Sequence, residues 1–398
     1  MYILPPVIFL SLVIFVLICV SIDGLRKRKS AGKIPVTVVV PCFNDADTLP
    51  DTLRSIYSSW PHSLLEVLVI DDASTDDSLA RMQNFAREYP VRIIRNTVNK
   101  GKSASLNDAV QQAAHDPVIC LDADTRLSAA ALTSLLDRLA HDSRVGAASC
   151  PYRAIDRGFL PAMQSIEYSM LRLGQGAGNV TSALALWGGC LMVRKQAFFL
   201  VSGFSGQAIT EDVDLAFKLN RAGWKVEQSF VFVETHVPPT WRQWIRQKIR
   251  WTAGGFQCFF EYPDVWLRNP VQMLFIFSYA FLTLAGLWGL LARTSWLGIG
   301  ASAADLWAAQ ESLADLGRAI YKLHGPEVVA RMLSGLEFSL FSLIYVLPTI
   351  TRLREWPRVA LFIPYSIGYF PFYIFVSLRG LIFWFRTLRK TQPGVRAW

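Results

Sequence analysis

The stretch that decides the fold is Val118–Thr125, which reads VICLDADT: four apolar residues, then two aspartates separated by one alanine. Pro117 and Arg126 bound a short buried strand that ends in the carboxylates of Asp122 and Asp124. Ligands of α/β proteins bind where strands open into loops, and two carboxylates there suit a divalent cation shared with substrate phosphates. The octet also reads as a polar turn that caps the next helix, so this stretch alone leaves both interpretations open.

Strand and helix patterns alternate around this stretch from Lys33 to Pro239, which predicts an α/β domain with a mostly parallel, doubly wound sheet. The predicted strands are 36–40, 65–70, 91–95, 118–121 and 145–149, and the predicted helices are 47–58, 78–88, 102–114 and 129–139. Polar clusters follow three of these strands, at 43–45, 71–72 and 122–124. Because the carboxyl ends of parallel strands lie at one edge of a sheet, we expect the three clusters to converge.

The second half of this domain is less regular. Trp187–Arg194 reads as an edge strand that begins with two glycines, and the glycine-rich segment 175–182 reads as a mobile loop. Thr210 is a reasonable N-cap for the next helix, where the acidic side chains of Glu211 and Asp212 favour the helix dipole. A capping role for these two carboxylates therefore competes with a chemical one.

The composition indicates a membrane protein with a soluble insert, since 52% of the 398 residues are hydrophobic and only 18% are charged. Leu4–Ile22 is long enough to span a bilayer, and the basic residues 26–29 behind it place the next domain in the cytoplasm. Trp241–Phe260 interleaves tryptophans with arginines, which favours an amphipathic helix in the headgroup region over a plain basic surface helix. We attribute much of the net charge of +9 to such membrane-flanking residues, and no nucleic-acid partner is predicted.

Six motifs occur in a fixed order: PCFND (41–45), VIDDASTDDS (69–78), NKGKSASLNDA (99–109), LDAD (121–124), ITEDVDLAFKL (209–219) and QKIRW (247–251). The set resembles the processive, membrane-embedded family 2 glycosyltransferases, which include cellulose, hyaluronan, chitin and poly-N-acetylglucosamine synthases. The ITED segment (209–212) and the RW pair (250–251), which is followed by two glycines, are most similar to bacterial poly-β-1,6-N-acetylglucosamine synthases. The resemblance implies an α/β GT-A (Rossmann-like) glycosyltransferase domain inserted between transmembrane helices.

On the donor side, the resemblance implies contacts to a UDP-sugar and to Mg²⁺ or Mn²⁺. The implied nucleotide-binding residues are Pro41, Asn44, Asp71, Asp72 and Lys102, with Asp72 and Asp71 at the uracil and ribose. Lys102 reads almost as well as a lysine that caps a loop. Asp122 and Asp124 would hold the metal against the diphosphate, with Asp124 as the direct ligand and Asp122 also able to act through the ribose or sugar.

On the acceptor side, the resemblance implies that Asp212 is the general base, which removes a proton from the acceptor hydroxyl during inverting transfer. The neighbouring charge of Glu211 raises the pKa of such a base. Gln247, Arg250 and Trp251 would close the site from the interfacial helix, where Arg250 can pair with the pyrophosphate and Trp251 offers an aromatic face to the acceptor sugar. Gln247 and Arg250 are three residues apart and so lie on the same side of that helix. Some related enzymes use a histidine near the position of His236 as a further metal ligand, and an ordinary core or surface histidine is the alternative.

The implied function is transfer of a sugar from a UDP-sugar, best UDP-N-acetylglucosamine, to a growing β-linked polysaccharide at the cytoplasmic membrane face, with export. A non-processive lipid glycosyltransferase of the ceramide type, which uses a UDP-hexose, shares the aspartates and the Q-x-x-R-W pattern and stays open as the alternative. A non-catalytic polymer-binding subunit predicts a broken motif, and none is broken. The resemblance also allows an accessory membrane subunit.

These interpretations divide the chain into six parts of a multi-pass protein of the cell (inner or plasma) membrane. The parts are an N-terminal transmembrane anchor (1–25), a cytoplasmic GT-A catalytic domain (33–239), an amphipathic interfacial helix (240–262), a transmembrane helix (270–292), an extramembrane helical segment (293–333) and C-terminal transmembrane and membrane-associated segments (334–390). The number of C-terminal crossings stays open, because four crossings place Arg379 and Arg386 outside, against the positive-inside rule.

Overall fold

A computed structural model describes residues 4–271, 273–274 and 360–388 of the chain. The described strands are β1 (Val36–Cys42), β2 (Leu65–Asp71), β3 (Val91–Arg95), β4 (Val118–Leu121), β5 (Thr125–Arg126), β6 (Val145–Ser149), β7 (Tyr152–Ala154), β8 (Cys190–Val193), β9 (Lys225–Gln228) and β10 (Val233–Thr235).

The described α-helices are α1 (Leu4–Leu25), α2 (Leu49–Ser59), α3 (Ser78–Phe85), α4 (Lys102–Gln112), α5 (Ala129–His141), α6 (Phe159–Ala177), α7 (Lys195–Leu200), α8 (Glu211–Arg221), α9 (Trp241–Glu261), α10 (Pro263–Leu267) and α11 (Phe370–Leu388). Short 3₁₀ turns lie at His62–Leu64 and Gly178–Val180. The helical turn Phe362–Pro364 and the π-helical turn Tyr365–Tyr369 lead into α11.

Seven strands form the main sheet in the order β3-β2-β1-β4-β8-β6-β9. All neighbouring pairs are parallel except those of β8, which runs antiparallel to both β4 and β6. Leu53 and Leu132 pack in the core on one face, while Leu106 and Leu215 pack on the other. The central strands β4 and β8 are continuous apolar runs, as expected where helices cover both faces of a sheet. The predicted α/β class and mostly parallel sheet are therefore confirmed.

Two local predictions in the second half of the domain are wrong. The strand expected at an edge is β8, which lies between β4 and β6 with all four residues buried; an apolar run without alternation belongs inside a sheet. The segment 175–182, expected to be a mobile loop, is the end of α6 and the following 3₁₀ turn. Gly176 is needed there for packing, since a Cβ at this position would lie 2.6 Å from the Phe230 ring.

A small second sheet, ordered β5-β10-β7, extends the loop that follows β4. β10 pairs antiparallel with β5, so that Thr235 lies opposite Thr125, and their hydroxyl oxygens are 2.9 Å apart. β10 also pairs in parallel with β7, where Val233 lies opposite Tyr152. This sheet therefore holds the 120s loop and β7 at the carboxyl edge of the main sheet.

Helices outside the sheet layers pack against this domain. Leu12 and Val16 of α1 contact Leu173 of α6, and the buried Asp23 carboxylate lies 3.2 Å from the Arg138 guanidinium of α5. α9 packs along α11, with Gly380 directly against Thr252.

No helix among the described residues is both long enough and apolar enough to cross a membrane. The predicted segment 293–333, most of the predicted span 270–292, and positions 334–359 and 389–390 lie outside the described residues.

Candidate active site

Asp72 lies directly after β2 and organises the loop that leads into α4. Its carboxylate accepts hydrogen bonds from the Asn96 side chain (2.7 Å) and from the backbone N–H groups of Lys100 (2.9 Å) and Gly101 (2.8 Å). Burial opposes ionisation, but these hydrogen bonds outweigh it and lower the pKa of Asp72. Asp72 is therefore an anionic anchor for the loop that presents Lys102.

Asp71, the last residue of β2, lies beside Asp72 and uses only one of its two carboxylate oxygens in a hydrogen bond among the described residues. Its Oδ1 accepts from the backbone of Ser74 at 2.9 Å, while its buried Oδ2 has no hydrogen-bond partner among the described residues and lies 3.7 Å from Arg95. Asn44 joins this edge by accepting a hydrogen bond from the Thr75 backbone at 2.8 Å.

Pro41 lies in β1 opposite Ile70 of β2, one position before the carboxyl end of that strand. The predicted nucleotide-binding residues Pro41, Asn44, Asp71 and Asp72 therefore gather at the carboxyl edge of two neighbouring strands.

Lys102, the first residue of α4, connects the end of β4 to the start of α8. Its ammonium lies 2.6 Å from the Asp122 carboxylate and 3.2 Å from that of Glu211. Burial favours the neutral amine, yet Asp122 and Glu211 raise the pKa of Lys102 above its ordinary value. The lysine therefore neutralises two of the acidic groups that the fold gathers here.

Asp124 lies behind Asp122 in the loop after β4. Its Oδ1 accepts hydrogen bonds from the hydroxyls of Thr125 (3.1 Å) and Thr235 (3.3 Å). Burial, and next the charge of Asp122, raise the pKa of Asp124 to about 6. The N-cap of α5 is Ser128, whose hydroxyl accepts from the Ala131 backbone at 3.2 Å, so the capping interpretation of the two aspartates is not needed.

Carboxylates crowded in this way suit a divalent cation whose coordination shell is completed by other ligands. In the described part of the chain, no three His, Cys, Asp or Glu side chains are arranged to hold a metal ion by themselves. The Nδ1 atom of His236 lies 2.9 Å from Asp156, and its backbone N–H donates to the Asp124 carbonyl at 3.2 Å. Asp122 and Asp124 would thus supply two protein ligands, and Mg²⁺ or Mn²⁺ takes its remaining ligands from phosphates and water.

Asp212, in the first turn of α8, faces the same edge from the other side. Its Oδ2 accepts from the Gly188 backbone at 2.9 Å, and a Cβ at Gly188 would come within 2.7 Å of that oxygen. Burial and the neighbouring Glu211 raise the pKa of Asp212 to about 6. The pKa of Glu211 is lowered instead, because the positive charges of Lys102 and Arg250 outweigh the effect of its burial.

Opposite shifts in adjacent carboxylates are typical of acid–base sites. Thr210 takes the N-cap position, but its hydroxyl makes no capping bond and packs against Gly254 of α9. The first turn of α8 is therefore held by contacts to other elements.

α9 closes this side of the site. Its contact with α8 at Gly254 is tight enough that a Cβ there would collide with Thr210. Arg250 lies close enough to lower the pKa of Glu211, and the Trp251 ring lies 6.1 Å from that of Tyr168. The buried Oε1 of Gln247 has no hydrogen-bond partner among the described residues. The structure thus brings Arg250 to the Asp212 side of the edge, and Gln247 and Trp251 lie within one turn of it on α9.

Several residues of this site escaped the sequence analysis. The Tyr152 hydroxyl accepts from the Gly189 backbone, and its ring packs edge-on against Trp187 at 4.8 Å. The two glycines were visible in the sequence, but only the structure shows that Gly188 binds Asp212 while the Gly189 carbonyl accepts from the Asp122 backbone at 3.0 Å. Tyr152 carries no sequence signal, because it follows the point where the strand–helix alternation ends.

This architecture is shared with known glycosyltransferase structures. The mannosyltransferase PcManGT from Pyrobaculum calidifontis, in complex with GDP-Man and Mn²⁺, superposes with a TM-score of 0.55 and 22% identity, covering 87% of this chain and 99% of that chain. The similarity shows that the chain has the α/β GT-A glycosyltransferase fold.

Residues 37–199 match the model of Glycosyl transferase family 2. The chain is 27% identical over 229 residues to the poly-beta-1,6-N-acetyl-D-glucosamine synthase of Staphylococcus aureus (strain MSSA476), covering 56% of this chain and 55% of the relative. The Staphylococcus epidermidis protein of the same name is 25% identical over 257 residues, covering 63% and 61%. The chain thus spans little more than half the length of these curated relatives.

Proposed function

We propose that this chain is an inverting glycosyltransferase that transfers N-acetylglucosamine from UDP-N-acetylglucosamine to a growing β-linked polysaccharide at the cytoplasmic face of a membrane. The observation that carries the proposal is the pairing of two acidic sites at one sheet edge. One is Asp122 with Asp124, and the other is Asp212, whose pKa is raised to about 6. The donor sugar is chosen from the relatives named above.

The proposed donor site is the edge formed by β1, β2 and β4. The unpartnered Oδ2 of Asp71 is a buried acceptor, which suits an N–H of the uracil ring or a ribose hydroxyl. Pro41 and Asn44 flank this position, and Asp72 holds the loop that presents Lys102. Lys102 is a cation at the point where the diphosphate would lie, and it can exchange its contact with Asp122 for one with a phosphate.

Mg²⁺ or Mn²⁺, held by Asp124 and Asp122, would act as a Lewis acid that neutralises the charge of the diphosphate. These two carboxylates fit such an ion. Burial and the charge of Asp122 raise the pKa of Asp124, so a positive charge nearby stabilises its ionised form. Thr125 and Thr235 fix the orientation of the Asp124 carboxylate.

In the proposed reaction, Asp212 accepts the proton of the acceptor hydroxyl while that oxygen bonds to the anomeric carbon of the donor sugar. The bond from this carbon to the diphosphate oxygen breaks on the opposite face, and its electron pair leaves with UDP. Gly188 holds Oδ2 of Asp212 in place, and a pKa of about 6 leaves the base ionised at neutral pH. Gln247, Arg250 and Trp251 would line the acceptor side, where an aromatic face suits a sugar ring.

We also propose that the chain is a multi-pass membrane protein, with the polymer exported along its C-terminal segments. Large apolar side chains are exposed on the face of α1 that does not contact α6, at Ile14, Ile18 and Ile22. Phe375 and Phe385 of α11 are exposed in the same way. Apolar faces of this extent on two helices outside the sheet layers suit contact with lipid.

The test is to incubate the purified full chain with UDP-N-acetylglucosamine, UDP-glucose or GDP-mannose in Mn²⁺, and to digest each product with linkage-specific glycosidases. GDP-mannose is included because the similar mannosyltransferase was solved with it. The proposal expects a polymer from UDP-N-acetylglucosamine that a β-1,6-specific N-acetylglucosaminidase degrades. A lipid that carries one sugar would support the ceramide-type alternative instead, and absence of transfer from every donor would refute the proposed activity.

A further inference from the structure

A buried polar network lies beneath the acceptor side and joins three helical parts of the chain. Lys248 of α9 is fully buried, and its ammonium lies 2.7 Å from Oε1 of Glu167 on α6. The hydroxyl of Tyr369 donates to Oε2 of the same carboxylate, and Nε1 of Trp244 donates to the Tyr369 oxygen at 2.6 Å. Both oxygens of Glu167 are therefore engaged, one by α9 and one by the turn that leads into α11.

The same ammonium also faces the ring of Trp251. It lies 4.1 Å from the Trp251 ring centroid and 5.0 Å from that of Tyr168, distances at which a cation is attracted to an aromatic face. Trp251 is partly exposed, whereas Lys248 and Glu167 are buried. The buried charge pair thus lies against one face of an aromatic ring that is itself only partly exposed.

An isolated buried ammonium is costly, so its arrangement is tightly constrained. Burial lowers the pKa of Lys248, and Glu167 opposes that shift. The lysine must therefore keep contact with its carboxylate, and the ring that it supports is fixed relative to α6 and to Tyr369. Tyr369 is 202 residues away from Glu167 along the chain.

We propose that Lys248 is a positioning residue for the acceptor side: held by Glu167 and, through it, by Tyr369, it fixes the ring of Trp251 in the place where an acceptor sugar would stack. This inference rests on the proposed function for the identity of the acceptor. Through Tyr369 the C-terminal helical segment becomes part of the catalytic unit.

The first readout does not depend on activity. The full chain, labelled with 5-fluorotryptophan, is studied by ¹⁹F NMR, and the Trp251 resonance among the 13 tryptophans is assigned from the variant Trp251→Phe. We expect the resonance to shift in Lys248→Met and, by less, in Tyr369→Phe, which removes the two hydrogen bonds of the Tyr369 hydroxyl and keeps the ion pair. Lys225→Met is the matched control, because it removes a lysine–aspartate pair of 3.0 Å at the opposite edge of the sheet.

The second readout is transfer of sugar from UDP-N-acetylglucosamine. Because a small displacement of a binding group can cost about 100-fold, we expect Lys248→Met to lower kcat about 10- to 100-fold while KM for the donor changes less than about twofold. Lys248→Arg keeps a cation against both Glu167 and the ring, so it should recover most of the lost rate. A merely structural lysine would lower donor affinity and kcat together.

The two readouts separate the inference from the proposed function. If the wild-type chain transfers no sugar but the Trp251 resonance shifts in both variants, the proposed function fails and the positioning role stands. If Lys248→Met does not fold, the Trp251 resonance of Tyr369→Phe alone tests the positioning role. An unmoved Trp251 resonance in every variant that folds, or a donor KM that rises in parallel with the loss of kcat, would overturn the inference.

Discussion

The proposed donor side and the proposed acceptor side of the site are built in different ways. The donor side is formed by strand ends: Asp71 ends β2 and Asp72 follows it, while Asp122 and Asp124 lie in the loop after β4. The acceptor side is assembled from α6, α8, α9 and the turn before α11, and a buried ion pair joins two of these helices. A sheet fixes its own strand ends, whereas the acceptor side depends on contacts between distant parts of the chain. Substitutions should therefore separate nucleotide binding from transfer.

The largest effect is expected for Asp212→Asn. Because general base catalysis contributes roughly 10²- to 10⁴-fold to a rate, kcat for sugar transfer should fall by about 1,000-fold, while the affinity for UDP in Mn²⁺ should stay the same. Isothermal titration with UDP, together with transfer of radiolabelled sugar, measures both quantities. Full transfer activity in this variant would remove Asp212 as the base.

Asp124→Ala should affect the donor side instead. Loss of a ligand to the metal should weaken UDP binding in Mn²⁺ by about 100-fold, the upper end of what changes around metal sites cost. A chelator should weaken wild-type binding to the same level and have little further effect on the variant. Equal UDP affinity of the two proteins in Mn²⁺ would return the aspartate pair to a structural role.

The pH profile of transfer should report on Asp212. Its pKa is raised from 3.8 to about 6, so the base is ionised above this pH and becomes protonated as the pH falls. The rate should therefore be constant above about pH 7 and fall about tenfold for each unit below about pH 6. Glu211→Gln removes the neighbouring negative charge and should move the midpoint to lower pH. An acid limb that Glu211→Gln leaves in place would contradict the assignment.

The smallest effect is expected for Thr235→Val, which removes one hydroxyl that contacts Asp124 at 3.3 Å. Partners that orient a metal ligand contribute about 10-fold, so UDP affinity in Mn²⁺ should fall by about this factor, and kcat at saturating donor should change little. Thr181→Val is a control far from the site, since the Thr181 hydroxyl contacts Asn269. A larger loss of UDP affinity in Thr181→Val than in Thr235→Val would show that replacing threonine with valine itself disturbs the fold.

The difference between the two sides also explains what the sequence could predict. The strand ends were predictable because a short apolar run followed by acidic residues places its carboxylates at the sheet edge, as at Leu121 and Asp122. The position of β8 was not predictable. Its place at the centre of the sheet is set by its pairing with β4 and β6, and the sequence does not reveal which strands pair. The strand order that brings Gly188 to Asp212 is equally non-local.

The contacts beneath α9 were also outside the reach of the sequence. Lys248 falls within the recognised QKIRW motif, but nothing in that motif points to Glu167, 81 residues away, or to Tyr369. Interhelical polar contacts of this kind have no periodic signal, since each partner sits singly in an otherwise apolar face. The sequence therefore predicted Gln247, Arg250 and Trp251 as site residues and missed what holds them.

The anomeric configuration of the first transferred sugar tests the central claim most directly. UDP-N-acetylglucosamine is α-linked, and a base that faces the donor from the side opposite UDP inverts the anomeric centre. Proton NMR of the product from wild-type enzyme in Mn²⁺ should show a β-linked sugar, and Asp212→Asn should yield none above background. An α-linked product would contradict the account, because it requires a retaining mechanism in which Asp212 is not the base.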